Sequence, residues 1–122
     1  MPPKILVVED NDRNRRLIRI ILKAKGYEVI EAVTAEEAIV HLNNESIALI
    51  LMDIQLPKMD GLELTQKIKG NPDTKDIPII ALTAYAMKGD REKFLAAGCD
   101  GYIGKPVDTQ ELPKIVAKFL GN

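Results

Sequence analysis

The sequence predicts a doubly wound α/β domain, in which a five-stranded parallel sheet carries helices on both faces. Three observations point there. Short, β-branched-rich apolar runs alternate with helix-period segments five times along 122 residues. The runs are apolar throughout, as strands buried on both faces are. Four of them, Ile5–Val8, Ile47–Met52, Ile77–Leu82 and Tyr102–Gly104, lead directly into Glu9-Asp10, Asp53, Thr83 and Lys105-Pro106. In an open α/β sheet the carboxyl ends of the strands are where ligands gather.

Each element has its own justification. After the first run, Leu17, Ile18, Ile21 and Leu22 recur at helical spacing over residues 13 to 25, and Gly26 ends the pattern. Residues 27 to 32 suit a strand. Thr34 with Glu37 three residues on is a capping box that opens a second helix through Leu42. The third strand ends at Met52. Asp60-Gly61 opens a third helix, with Leu62, Leu64 and Ile68 inside it and Gly70-Asn71-Pro72-Asp73 closing it. A fourth helix covers residues 90 to 97, stopped by Gly98. A short fifth strand leads to a last helix with Leu112, Ile115, Val116, Phe119 and Leu120 on one side, for which Asp108 with Glu111 is a candidate cap. Pro113 conflicts with that start. In the second turn it removes a backbone donor, so the helix is expected to begin late or to bend. Alternation calls for right-handed crossovers but does not by itself order the strands.

Composition removes several function classes. Hydrophobic residues make up 46% and charged residues 29%, ordinary for a folded domain and unlike a disordered one. The longest apolar run, six residues, is far short of a membrane span. The first residues enter a strand without signal-peptide anatomy. Cys99 is the single cysteine, which excludes an internal disulfide and fits a reducing cytoplasm. A formal net charge of -1 gives no overall pull towards nucleic acid or an acidic membrane. No linker or repeat appears, so residues 1–122 are expected to form one domain, with no output domain after the last helix.

The strand-end residues suggest phosphate chemistry. Glu9, Asp10 and Asp53 brought together repel one another, and a hard divalent cation is the usual remedy. Magnesium suits one or two carboxylates while keeping several waters. Asp53 is then a nucleophile able to form an aspartyl phosphate. Lys105, Thr83 and a backbone N–H supply positive or donor partners for the phosphoryl oxygens. Taken singly, each residue has a plainer explanation. Asp10 is a turn acid, Thr83 a loop hydroxyl, Lys105 a solvated charge and Tyr102 a core aromatic. Only their joint placement favours the site.

Glu9-Asp10-Asn11, Asp53 with Leu56-Pro57-Lys58-Met59-Asp60-Gly61, Thr83-Ala84 and Lys105-Pro106 resemble the receiver domain of two-component response regulators, in order and over essentially the whole chain. The stretch from Thr83 to Asp90 is similar to DivK-like single-domain regulators and to receivers of hybrid histidine kinases. The resemblance implies the strand order 2-1-3-4-5. It implies Asp53 as phosphoacceptor, with Asp10, Glu9 (through water), Asp53 and the backbone carbonyl of Gln55 as the Mg2+ set. Lys105 matches the phosphate-binding ammonium, before a cis bond to Pro106. Thr83 and Tyr102 match a switch pair, and Ala84 leaves room for the phosphoryl group. Gln55 and Tyr85, at positions that vary in the family, would tune the phosphoryl lifetime. Glu9 for Asp and Leu56 for Met are mild departures.

The function expected is that of a phosphorylation switch in a phosphorelay. A partner phosphohistidine, on a histidine kinase or a histidine phosphotransfer protein, supplies the phosphoryl group. The surface of helix 4, strand 5 and helix 5 then changes for a downstream protein. Such a domain is no enzyme beyond its own phosphorylation and slow autodephosphorylation, and it works in the cytoplasm. Two alternatives stay open: a Mg2+-dependent phosphatase passing through an aspartyl phosphate, and an unphosphorylated binding scaffold. The first would need an acid where Gln55 stands, and the second the loss of an acid that is retained. Arg13, Arg15, Arg16, Arg19, Lys23 and Lys25 give the first helix a basic outer surface. It is either a solvated face or the docking site of the phosphodonor, with Ile20 as a hydrophobic anchor. Direct nucleic-acid binding is disfavoured, since no aromatic residues interleave the basic ones. Cys99 is expected to be a buried small hydrophobe and His41 a surface residue.

Overall fold

The computed structural model describes residues 2–54, 61–84 and 88–121, with the backbone alone for 88–91. Ten elements alternate along it: β1 Lys4–Val8, α1 Asp12–Ala24, β2 Glu28–Ala32, α2 Ala35–Asn44, β3 Leu49–Asp53, α3 Gly61–Lys69, β4 Ile79–Thr83, α4 Lys88–Ala97, β5 Gly101–Gly104 and α5 Glu111–Leu120. All four strand pairings are parallel, in the order β2-β1-β3-β4-β5. The expected fold class and strand order are therefore observed.

Strand periodicity divides the core in two. Leu6, Val8, Ile50, Met52, Ile79 and Ala81 face one side and pack with Ala35, Ala38, Leu64, Ile68, Phe94 and Ala97 of α2, α3 and α4. Ile5, Val7, Leu49, Leu51, Ile80 and Leu82 face the other and pack with Ile18 and Leu22 of α1 and Leu112 and Val116 of α5. Burying one such Leu or Ile stabilises by roughly 1.5–3 kcal/mol. A partly exposed pair such as Lys4–Glu45 contributes about 0–1 kcal/mol. The two apolar faces, then, hold the layers together.

The helix ends follow their local chemistry. Asn11 caps α1, its side chain accepting from the Asn14 N–H at 2.9 Å, and Thr34 caps α2 by accepting from the Glu37 N–H at 3.2 Å. After α1 the Gly26 backbone has φ +89°, and the Tyr27 N–H returns to the Leu22 carbonyl. Gly98, with φ +110°, ends α4 in the same way, the Cys99 N–H reaching back to the Phe94 carbonyl. Cys99 is buried, and burial raises its thiol pKa above the ordinary value. His41 is only half-buried, with Nδ1 3.2 Å from Glu45 Oε2, because its place in the last turn of α2 faces the following Glu45.

The last helix settles the Pro113 conflict. Asp108 Oδ1 accepts from the N–H groups of Gln110 at 2.7 Å and Glu111 at 2.9 Å, and regular helix begins only at Glu111. Pro113 thus falls in the first turn, where an amide N–H would have had no partner inside the helix. The bonds from Glu111 and Gln110 favour the charged carboxyl and hold Asp108 below the ordinary aspartate range. A lowered carboxylate contributes stability above its unfolded pKa and loses it as pH falls through the folded value. Asp108→Asn keeps an accepting oxygen without the charge, so its deficit in urea-unfolding stability should be present near neutrality and shrink as the pH is taken below 4. A pH-independent deficit would contradict the charged cap.

Candidate functional site

The parallel register sets the site. Val8 pairs with Met52 and Asp53 with Leu82, so the carboxyl ends of β1, β3 and β4 lie side by side, and Thr83 opposite Gly104 adds the end of β5. The Lys105 N–H donates to the Thr83 carbonyl at 2.7 Å, anchoring the loop after β5 to that edge. The Lys105–Pro106 peptide bond is cis.

Glu9, Asp10 and Asp53 offer carboxylate oxygens that all lie within 4.8 Å of one another. Glu9 is fully buried, Asp53 is 2% exposed, and Asp10 is open to solvent. The Lys105 ammonium stands 2.9 Å from Glu9 Oε1 and 3.2 Å from Asp53 Oδ1. Burial alone would drive both partners towards neutrality. For Glu9 that is outweighed by the hydrogen bond and charge of Lys105 and by the Asn11 N–H, which hold its pKa below the ordinary value. For Lys105 the Glu9 hydrogen bond and the charges of Asp53 and Glu9 overcome burial and raise the ammonium pKa. The pair is therefore ionised, with donors and acceptors matched in a confined space.

The donor set fits a hard divalent cation. Three carboxylates offer oxygen only, and the exposed Asp10 leaves one side open to the waters that magnesium retains. A cation bound there would supply positive charge beside any oxyanion brought to Asp53.

Thr83 is 4% exposed at the end of β4, and Ala84, the next residue, is exposed. Tyr102 is half-buried on β5 opposite Ala81, two residues before the partner of Thr83, so Thr83 and Tyr102 share one face of the sheet. The expected ligand Gln55, the stretch Leu56 to Asp60 and Tyr85 lie outside the described residues.

Three residues contact Glu9 in ways the sequence did not indicate. The Asn11 N–H lies 3.3 Å from Glu9 Oε2, Asn14 Nδ2 lies 3.4 Å from Glu9 Oε1, and Arg15 Nη1 donates to the Glu9 carbonyl at 2.9 Å. Arg15 was counted with the basic outer surface, but its side chain is only 16% exposed and meets Glu31 Oε1 at 3.2 Å. Arg19 also reaches Glu31, at 3.0 Å. The available signal was the i, i+4 spacing of Arg15 and Arg19, which lines both up along one side of α1. Arg13, Arg16, Lys23 and Lys25 are exposed, as is Ile20 at 57%.

Gly61 closes the base of the site. Its N–H donates to the Ile54 carbonyl at 2.9 Å, and a Cβ added there would stand 2.3 Å from the Asp53 carbonyl oxygen and 2.8 Å from Ile54 Cα. Both obstacles are backbone, so neither can swing aside. Gly61→Ala should therefore destabilise the fold by about 1–3 kcal/mol through overpacking. Urea unfolding of the variant measures this, and an unchanged midpoint would show that α3 can retreat at no cost.

Residues 5–117 match the family model of the response regulator receiver domain. Over all 122 residues the chain is 41% identical to the polar-differentiation response regulator DivK of Brucella anthropi and 40% identical to that of Brucella ovis, covering 99% of each. Among solved structures it superposes at a TM-score of 0.90, with 37% identity and full coverage of both chains, on the receiver domain of a sensor histidine kinase from Pseudomonas aeruginosa PAO1. That structure has a magnesium ion coordinated in its active-site cleft. The chemotaxis response regulator CheY4 of Vibrio cholerae superposes at 0.93, with 27% identity over 98% of this chain and all of that one.

Proposed function

The chain belongs to the response regulator receiver domain family of two-component systems, and we propose that it works as a single receiver unit passing a phosphoryl signal through Asp53. The observation that carries this reading is the buried Asp53 carboxylate held between Lys105 and the acids Glu9 and Asp10. A nucleophile in that setting is oriented and shielded from bulk water. Positioning and charge neutralisation are most of what phosphoryl transfer asks of a protein.

In the proposed reaction an Asp53 oxygen attacks the phosphorus of a phosphohistidine on a histidine kinase or phosphotransfer protein. The new O–P bond forms as the N–P bond breaks, and the histidine nitrogen keeps the electron pair and takes up a proton. Glu9 and Asp10, with Asp53 and the backbone of Gln55, would hold Mg2+. Lys105 moves its pairing from the carboxylates to the new oxyanion. The Thr83 hydroxyl donates to a second phosphoryl oxygen, and the small side chain of Ala84 leaves that approach open. The basic, exposed part of α1 with Ile20 suits the donor's docking. The protein is thus a regulatory phosphoacceptor of the cell interior. Among the described residues no helix is long and apolar enough to cross a membrane.

The switch rests on Thr83 and Tyr102. A dianion on Asp53 draws the hydroxyl towards it, and the Tyr102 ring turns into the space left behind on the same sheet face. Tyr102 also lines a groove of about 240 Å³ with Leu95, Ile115, Lys118 and Phe119, so its turn would reshape the surface between α4 and α5. This is a population shift, bounded by how much better one state accommodates the phosphoryl group.

Mass spectrometry after incubation with a small phosphodonor and magnesium should give a single-phosphoryl adduct on the wild type and none on Asp53→Asn. An adduct that persists in that variant defeats the assignment. Thr83→Ala should still be phosphorylated while partner binding loses its phosphate dependence. Unchanged phosphate dependence in a pull-down with the cognate partner would remove Thr83 from the switch.

A further inference from the structure

Resting on the magnesium reading of the acidic trio, we infer that Arg15 is a positioning residue for the metal site, orienting Glu9 and Asp10 through the peptide that joins them. The carbonyl it grips, Glu9 O at 2.9 Å, belongs to that peptide unit. On the other side the Glu9 N–H donates to the Ala32 carbonyl at 3.0 Å. Because a peptide unit is planar, fixing its oxygen fixes the direction in which the Asp10 Cα, and hence its carboxylate, leaves the strand end. Asp10 is solvent-exposed and its side chain has little packing of its own, so backbone orientation is what prepares it as a ligand.

The guanidinium is itself held in place. Its Nη2 pairs with Asp12 Oδ1 and its Nε lies 3.2 Å from Glu31 Oε1, while Arg19 Nη1 holds the other Glu31 oxygen at 3.0 Å. Three separate directions of the planar fork are used, a geometry that lysine does not reproduce. Asp12 and Glu31 also balance the Arg15 charge, so that it does not simply repel a cation from the neighbouring acids. The arrangement ties α1 and the edge strand β2 to the metal cradle at the end of β1. Outer partners that orient ligands in this way commonly change metal affinity by about 10–100-fold when removed.

Positioning and bare electrostatics predict opposite signs. Deleting a positive charge near three carboxylates should tighten magnesium binding, whereas losing the orienting bond should weaken it. Titration calorimetry of the full chain with magnesium chloride decides. Arg15→Ala is expected to raise the Kd about tenfold, Arg15→Lys to recover part of the loss, and Arg19→Ala, which touches Glu31 but not Glu9, to bind as the wild type does. Thermal unfolding without metal shows that each variant is folded at the titration temperature. If Arg15→Ala does not fold, Glu31→Ala tests the same point by removing one anchor, with weaker binding expected. An unchanged or lower Kd in the variant titrated overturns the inference. Wild-type uptake that is lost in Asp10→Asn but kept in Arg15→Ala overturns it alone, while a wild type that binds no magnesium overturns the metal reading along with it.

Discussion

Two buried carboxylates on adjoining strands oppose the closure of the sheet edge that carries them, and the Lys105 ammonium is what reconciles them. It lies within ion-pair distance of both Glu9 and Asp53, and its hydrogen bond and charge help to hold Glu9 ionised against the cost of burial. Removing one member of a buried ionic set leaves the others uncompensated, which costs far more than an exposed ion pair contributes. β1, β3 and the loop after β5 are therefore electrostatically coupled as well as packed. That coupling suits the proposed chemistry, in which the Lys105 ammonium would exchange a carboxylate partner for an incoming oxyanion.

Much of the scaffold was legible because parallel strands buried on both faces admit little but Ile, Leu and Val. Ile5 to Val8, Leu49 to Met52 and Ile79 to Leu82 are all fully buried. Boundaries were harder to place. Ile47 is buried but precedes the β3 ladder, while Asp53 and Thr83 belong to their strands although their polarity reads as an end. Backbone pairing, which polarity does not report, decides those last residues. The start of α5 at Glu111 became plain only once the Asp108 bonds were seen, since a cap and a turn acid look alike in sequence.

The acids, the lysine and the hydroxyl of the site could be picked out because each follows an apolar run directly. Their support could not. Arg15 matters through a main-chain oxygen, and main-chain acceptors leave no trace in the residue string. Its counter-ion Glu31 lies on β2, and the pairing exists only because β2 borders β1 rather than another strand. Interactions that depend on strand order stay invisible until the order is known.

The order β2-β1-β3-β4-β5 also has a temporal consequence. Once β1 and β2 have paired, every later strand adds at the same open edge in the order in which the ribosome delivers it. The acids of β1 and β3 are thus synthesised well before Lys105, the cation that balances them. A nascent chain lacking its last segment therefore carries these acids without the cation that pairs with them in the complete sheet.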